Sequence, residues 1–240
     1  PHTSKPEDNL AASYVNAVRN WLYLDIAVWG KYNPVAMDHI TKKGFKIEIT
    51  EEDMQILREG KPDFIAFNYY NTATIEAYSE SEAATKGDQQ LTLGEPGFFK
   101  GVANEFLPFT DFGWQIDPLG FRTTMMEIYS RYHLPLLITE NGLGAYDKVE
   151  EDGSINDDYR IEYLRQHISE LKRAVEAGVE VMGYCPWSAI DLISTHQGFL
   201  KRYGFIYVNR DNDDLKDLKR LKKKSFFWYN NLIKENAESL

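Results

Sequence analysis

Cysteine is almost absent from these 240 residues: Cys185 stands alone, which excludes a disulfide within the chain. A single thiol fits a reducing compartment, so a cytoplasmic location is expected. Long apolar runs are also missing. No stretch of 18 or more apolar residues occurs, so neither a membrane-spanning helix nor a membrane partner is expected. Positive charge is in deficit, with a formal net charge of −10. A nucleic-acid surface would be basic, so nucleic acid is not an expected partner. The five histidines show no ligand spacing, and neither a metal nor an organic cofactor is implied. No secretory signal opens the chain. The first residue is Pro1 and not Met, so the chain is expected to be a piece of a longer product, and its start carries no weight in arguments about targeting.

What is present is apolar bulk. Hydrophobic residues make up 43% and aromatics 14%, ample for a packed core and unlike a disordered chain. From Glu7 to about Trp29, Leu10, Tyr14, Ala17, Val18, Trp21 and Leu22 recur at helical spacing and predict one long helix. A short helix is expected over Glu51–Arg58 with Thr50 as its N-cap. Further helices are expected from about Asp117 to Tyr132, from Asp157 to Ala177, and from Lys223 to Asn236. The Asp157–Ala177 helix carries Ile161, Leu164, Ile168, Leu171 and Val175 on one face and ends at Gly178. Three runs read as strands: Asp63–Tyr70, apolar on both faces as a buried parallel strand is, a second buried strand at Leu134–Thr139, and a third at Val179–Cys185. Cys185 therefore reads as a buried, inert thiol. The segment 71–114 reads as one long functional loop. The basic run Lys219, Arg220, Lys222, Lys223 and Lys224 reads as a solvated helix end.

Helices alternating with buried strands are the signature of βα units around a parallel sheet. The length would suit a whole eight-stranded barrel of about 250 residues, but only three convincing barrel strands can be found. The expected fold is therefore α/β, the last part of a (β/α)8 TIM barrel, about strands 6–8 with their helices and long loops.

In such barrels the reactive groups project from the C-terminal ends of strands. The second strand runs into Thr139-Glu140-Asn141-Gly142. Glu140 would emerge at the mouth of the core, with Gly142 allowing a sharp turn beside it. A carboxylate there can attack a sugar's anomeric carbon. Position alone leaves Glu140 open between that role and a solvated or paired strand-end acid. Asn68 and Tyr70 are two apart, so they share one strand face and can both hydrogen-bond a carboxylate.

The runs Phe64-Ile65-Ala66-Phe67-Asn68-Tyr69-Tyr70 and Leu137-Ile138-Thr139-Glu140-Asn141-Gly142 resemble two strand-end motifs of glycoside hydrolase family 1. Trp114-Gln115-Ile116-Asp117-Pro118, the helix opening Asp157–Leu164, and Lys224-Ser225-Phe226-Phe227-Trp228-Tyr229 resemble further segments of that family, in the same order. The resemblance implies a (β/α)8 barrel that hydrolyses β-glycosides with retention. It implies Glu140 as nucleophile, Asn68 and Tyr70 as residues that position it, and Trp187 as a contact of the sugar.

The resemblance also points to a phosphorylated sugar. Seven and eight residues after Trp187 the ordinary family pattern has Glu and Trp, where this chain has Ser194 and Thr195. A Glu there would repel a phosphate, which carries between about one and two negative charges. The same loop brings Lys201 and Tyr203, two apart and able to face one ligand if extended. Taken alone, the triplet also fits an ordinary surface loop. Within the family, Ser194, Lys201 and Tyr203 match the phosphate-binding set of the 6-phospho-glycosidases, and Arg202 matches a structural arginine. Thr195 in place of Trp tilts the resemblance toward 6-phospho-β-glucosides over galactosides. The implied substrate is a small phosphorylated disaccharide or aryl glucoside. The aglycone and the oligomeric state are not legible.

Retaining hydrolysis needs a second carboxyl group about 5–5.5 Å from the nucleophile. In the family it sits in an Asn-Glu motif at the end of the fourth strand, a region that would precede Pro1. Asn104-Glu105 does not qualify, because no apolar strand leads into it. Residues 1–240 are thus expected to be the C-terminal half of a single catalytic domain. Alone, the chain is expected to be inactive or unstable, or else paired with its N-terminal half or with a second copy. The competing expectations are an inactive sugar-phosphate-binding fragment, a β-glucosidase for unphosphorylated sugars, and a 6-phospho-β-galactosidase.

Overall fold

The computed structural model describes residues 1–79 and 94–240. It divides into two compact units, one of Pro1–Asp63 with Ala73–Glu105 and the other of Phe64–Thr72 with Phe106–Leu240.

The second unit holds the parallel sheet. Strand β1 (Ile65–Asn68) leads to β2 (Thr74–Ala77), β3 (Gly94–Glu95) and β4 (Phe99–Val102) of the other unit. The chain returns with β5 (Leu136–Asn141) and β6 (Val181–Pro186), and the sheet order is β1-β5-β6. Each of the three expected strands is present, within a few residues of its expected bounds. Ile65, Leu136 and Ile138 are buried to 4% exposure or less and supply the apolar side of the sheet. The register runs Ile65↔Leu136 and Phe67↔Ile138, then shifts so that Asn68 stands opposite Glu140. Such an irregularity re-aims side chains at a strand end.

Two helices connect these strands. One spans Pro118–Tyr132, with Asp117 accepting from the Gly120 N–H at 2.8 Å and Pro118 in the first turn. It buries Phe121, Met125, Ile128 and Tyr132, spaced four, three and four apart along one face. The other spans Asp158–Glu176 and packs against the first. Gly178 follows it at φ +96°, the backbone conformation that stops a helix at low cost with glycine. The buried face of this second helix differs from the expected one. Arg160, Tyr163, Leu164, His167, Ile168 and Ala174 are buried, while Val175 is 46% exposed. Polar groups that find partners can replace an apolar stripe, and apolar periodicity does not register them. A hairpin of Ile206–Val208 with Arg220–Lys222 and a last helix, Lys224–Lys234, complete the unit.

Two burial expectations fail here. Cys185 is exposed. Met182, on the same strand, is 60% exposed, so this strand is not covered on both faces. The basic run is not wholly solvated either: Lys223 is fully buried, because two buried carboxylates, Asp147 and Asp191, receive its ammonium.

The first unit is mostly helical. The expected long helix begins as Pro6–Asn16 and ends as Leu22–Trp29, but residues Ala17–Trp21 form a π-helical segment between them. A helix at Pro34–Lys42 has no expected counterpart. It is too short to show periodicity, yet Asn33 caps it by accepting from Val35 and Ala36 N–H groups, and Pro34 opens it. The Glu51–Glu59 helix has the expected Thr50 cap, completed by Asp53 as a capping box. The segment 71–114 is not a loop throughout. Its strands β2, β4 and β3 form an antiparallel sheet packed on Ala11 and Val15 through Ile75 and Phe99. Residues 80–93 of that segment lie outside the described residues. Among the described residues no helix is long and apolar enough to cross a membrane, and no group of three or more metal-ligating side chains occurs.

Candidate active site

Glu140 ends the central strand of the parallel sheet and is half-buried. Its Oε2 accepts a hydrogen bond from the Tyr70 hydroxyl at 2.6 Å. Burial and the Glu140 charge both push the Tyr70 phenol well above its ordinary pKa, so it remains a neutral donor. Asn68 faces Glu140 in register, while its Oδ1 accepts from Thr139 Oγ1 at 2.7 Å. Tyr70, beyond the end of β1, is thus in direct contact with the carboxylate, whereas the Asn68 side chain bonds Thr139 in place of the expected carboxylate.

The residue after Glu140 anchors the strand end. Asn141 is fully buried and its amide has three partners. Nδ2 donates to Tyr69 O at 2.8 Å and to Tyr163 Oη at 3.1 Å, and Oδ1 accepts from Tyr184 Oη at 2.6 Å. A buried amide so satisfied fixes one backbone position. His167 stacks on Tyr163 with centroids 4.0 Å apart, and burial lowers its pKa to about 4, so it is neutral at pH 7. Sequence reasoning assigned no role to Asn141, since its partners Tyr69, Tyr163 and Tyr184 lie 22 to 72 positions away.

Gly142 matters for a different reason than the expected turn. A Cβ there would stand 2.2 Å from the Trp187 carbonyl oxygen, so glycine permits close approach of two backbones. The Trp187 N–H donates to Asn141 O at 2.8 Å, which sets half-buried Trp187 next to the Glu140 strand end. Ser188 N–H then donates to Tyr203 O at 3.2 Å, and Phe205 N–H to Ser188 O at 3.1 Å. This ladder ties the Trp187 segment to the Lys201–Tyr203 segment.

The expected triplet is brought together. Tyr203 donates to Ser194 Oγ at 3.3 Å. Burial raises the Tyr203 pKa, with the Ser194 hydrogen bond acting the other way. Ser194 and Lys201 are 7% and 3% exposed. Lys201 lies beside Tyr203, its ammonium 5.5 Å from that ring's centroid.

Beneath these loops lies a buried ionic cluster. Arg160 pairs with Asp157 at 2.9 Å and Asp147 at 3.0 Å. Lys223 pairs with Asp147 and with Asp191 at 2.7 Å, and Arg202 reaches Asp191 at 3.3 Å. Arg160 also donates to the carbonyls of Leu143 and Tyr203, and Arg202 to that of Val208. Burial and the neighbouring Arg160 charge lower the Lys223 pKa, opposed by Asp147 and Asp191. Arg202 is structural, as expected.

The arrangement offers a reachable carboxylate oriented by a phenol, an indole beside it, and a cation with two hydroxyls in the adjoining loop. The profile of glycosyl hydrolase family 1 matches residues 1–238. The chain belongs to this family. The aryl-phospho-beta-D-glucosidase BglC of Bacillus subtilis is 48% identical across all of this chain, which covers 52% of that protein. A 6-phospho-beta-glucosidase of Dickeya chrysanthemi is 42% identical, again across the whole chain and 50% of the relative. The chain thus spans about half the length of the curated relatives it matches. The family 1 β-glucosidase from Thermotoga maritima superposes with a TM-score of 0.82 at 30% identity, over 98% of this chain and 48% of that one. The fold is accordingly part of a (β/α)8 barrel, as expected.

Proposed function

We propose that this chain is the C-terminal half of one catalytic barrel that hydrolyses 6-phospho-β-D-glucosides with retention, giving glucose 6-phosphate and the aglycone. The observation that carries the reading is the Tyr70–Glu140 hydrogen bond in the same compact unit as the joined Ser194, Tyr203 and Lys201 cluster. The names of the relatives, aryl-phospho-β-glucosidases and 6-phospho-β-glucosidases, support it.

Glu140 attacks the anomeric carbon and forms a glycosyl ester as the bond to the aglycone oxygen breaks. The aglycone oxygen takes a proton from a carboxylic acid supplied by the other half of the barrel. That acid, now a base, then activates water to cleave the ester, and two inversions give net retention. Tyr70 holds the carboxylate in one rotamer. Its phenol orients the charge without neutralising it. Asn68 holds Thr139 and closes the other side of the strand end. Trp187 packs on the sugar, while Lys201, Tyr203 and Ser194 take the phosphate. The substrate implies a phosphorylating uptake step and a cytoplasmic enzyme.

The test is specificity. In the full-length enzyme, Ser194→Glu places a carboxylate against the phosphate. The kcat/KM ratio of a 6-phospho aryl glucoside to its unphosphorylated analogue is expected to fall by about two orders of magnitude. An unchanged ratio would contradict the phosphate reading.

A further inference from the structure

Lys201 is held by rings. Its Nζ lies 4.2 Å from the centroid of Trp114, nearer than to Phe112 at 4.9 Å or Tyr203 at 5.5 Å. Its stem crosses Gly144, where a Cβ would stand 2.4 Å from Lys201 Cε and 2.5 Å from Cγ. Any larger residue at 144 would displace the lysine. Trp114 has a second neighbour. Its ring meets Tyr70 edge-on, with centroids 5.2 Å apart and planes at 77°.

We infer that Trp114 is a specificity-positioning residue, whose indole face seats the Lys201 ammonium for an incoming phosphate while the ring packs against the Tyr70 that holds Glu140. The inference rests on the phosphate role of Lys201 proposed above. An aromatic face attracts a cation through its quadrupole. An ammonium has three donors, so one side can rest on the ring while another meets phosphate oxygen. Holding a long side chain in advance also spares the ordering cost that binding would otherwise incur. Indole offers the strongest such face of the aromatic side chains.

The readout is the kcat/KM ratio for a 6-phospho aryl glucoside over the unphosphorylated one, in the full-length enzyme. Trp114→Leu is expected to lower it about tenfold, or about 1.4 kcal/mol, mainly through KM for the phosphorylated substrate. Trp114→Phe, which keeps a weaker ring, is expected to lower it less. In a Lys201→Met background, Trp114→Leu is expected to lower it no further, because the two residues act through one contact. Gly144→Ala changes no ring and is expected to lower the ratio too, by displacing the lysine stem. If Trp114→Leu fails to fold, Trp114→Phe and Gly144→Ala carry the test. A Trp114 effect that is absent, or equal in both backgrounds, overturns the seat while leaving the Lys201 role intact. A Lys201→Met ratio equal to wild type overturns that role and the seat with it.

Discussion

Glu140 and Asp191 are carboxylates at or just beyond the ends of adjacent parallel strands, and the fold treats them in opposite ways. Asp191 is 4% exposed, receives Lys223 and Arg202, and accepts from the Gly204 N–H. Its charge is matched by cations and spent on holding loops together. Glu140 is half-buried, and the hydrogen bond it accepts comes from a neutral phenol. A phenol orients the group and leaves its charge available to attack carbon. The partner of Glu140 fixes its geometry without cancelling its charge.

The comparison can be broken at either end. Glu140→Gln in the full-length enzyme should lower kcat by about four orders of magnitude or more, while shifting stability by no more than about 0.5 kcal/mol. Asp191→Asn should do the reverse. It leaves Lys223 and Arg202 buried without their shared counter-charge and should cost about 3–5 kcal/mol in urea unfolding. A small stability change there would remove the structural half of the contrast.

His167 gives a test with a direction in pH. Its pKa is about 4 in the folded protein against 6.5 when exposed, so the unfolded chain binds more protons between those values. Stability should be complete above pH 6.5, fall as the pH drops, and have lost this contribution below about pH 4. The contribution is about 3 kcal/mol, measured as the difference between wild type and His167→Phe across that window. Tyr70→Phe is the mildest change. Losing one hydrogen bond to a carboxylate should lower kcat/KM about 10- to 100-fold, with the fold intact.

Much of this was legible in the chain itself. The three strands stand out because each is a mostly apolar run, and Glu140 because it follows one of them. The Thr50 cap and Gly178 stop are local signals and were read correctly. Other features depend on residues distant in sequence. Lys223 looked solvated because its partners, Asp147 and Asp191, lie 76 and 32 positions upstream. The polar face of the Asp158–Glu176 helix was missed because Arg160 and Tyr163 are buried by partnership with Leu143, Tyr203 and Asn141 and not by apolarity. Strands β2–β4 are two to four residues long, and β3 and β4 lie far from β2 in the chain. Cys185 misled because an apolar run reports composition and not which face is covered.

The most direct measurement is intact mass spectrometry and peptide mapping of the full-length enzyme after exposure to a 2-deoxy-2-fluoro 6-phospho-β-glucoside with a good leaving group. Such a reagent arrests a retaining enzyme at its covalent ester. The account predicts one label, on Glu140, formed much faster than with the unphosphorylated analogue. A folded enzyme that takes no label, or takes it on another residue, would contradict the assignment of Glu140 as nucleophile.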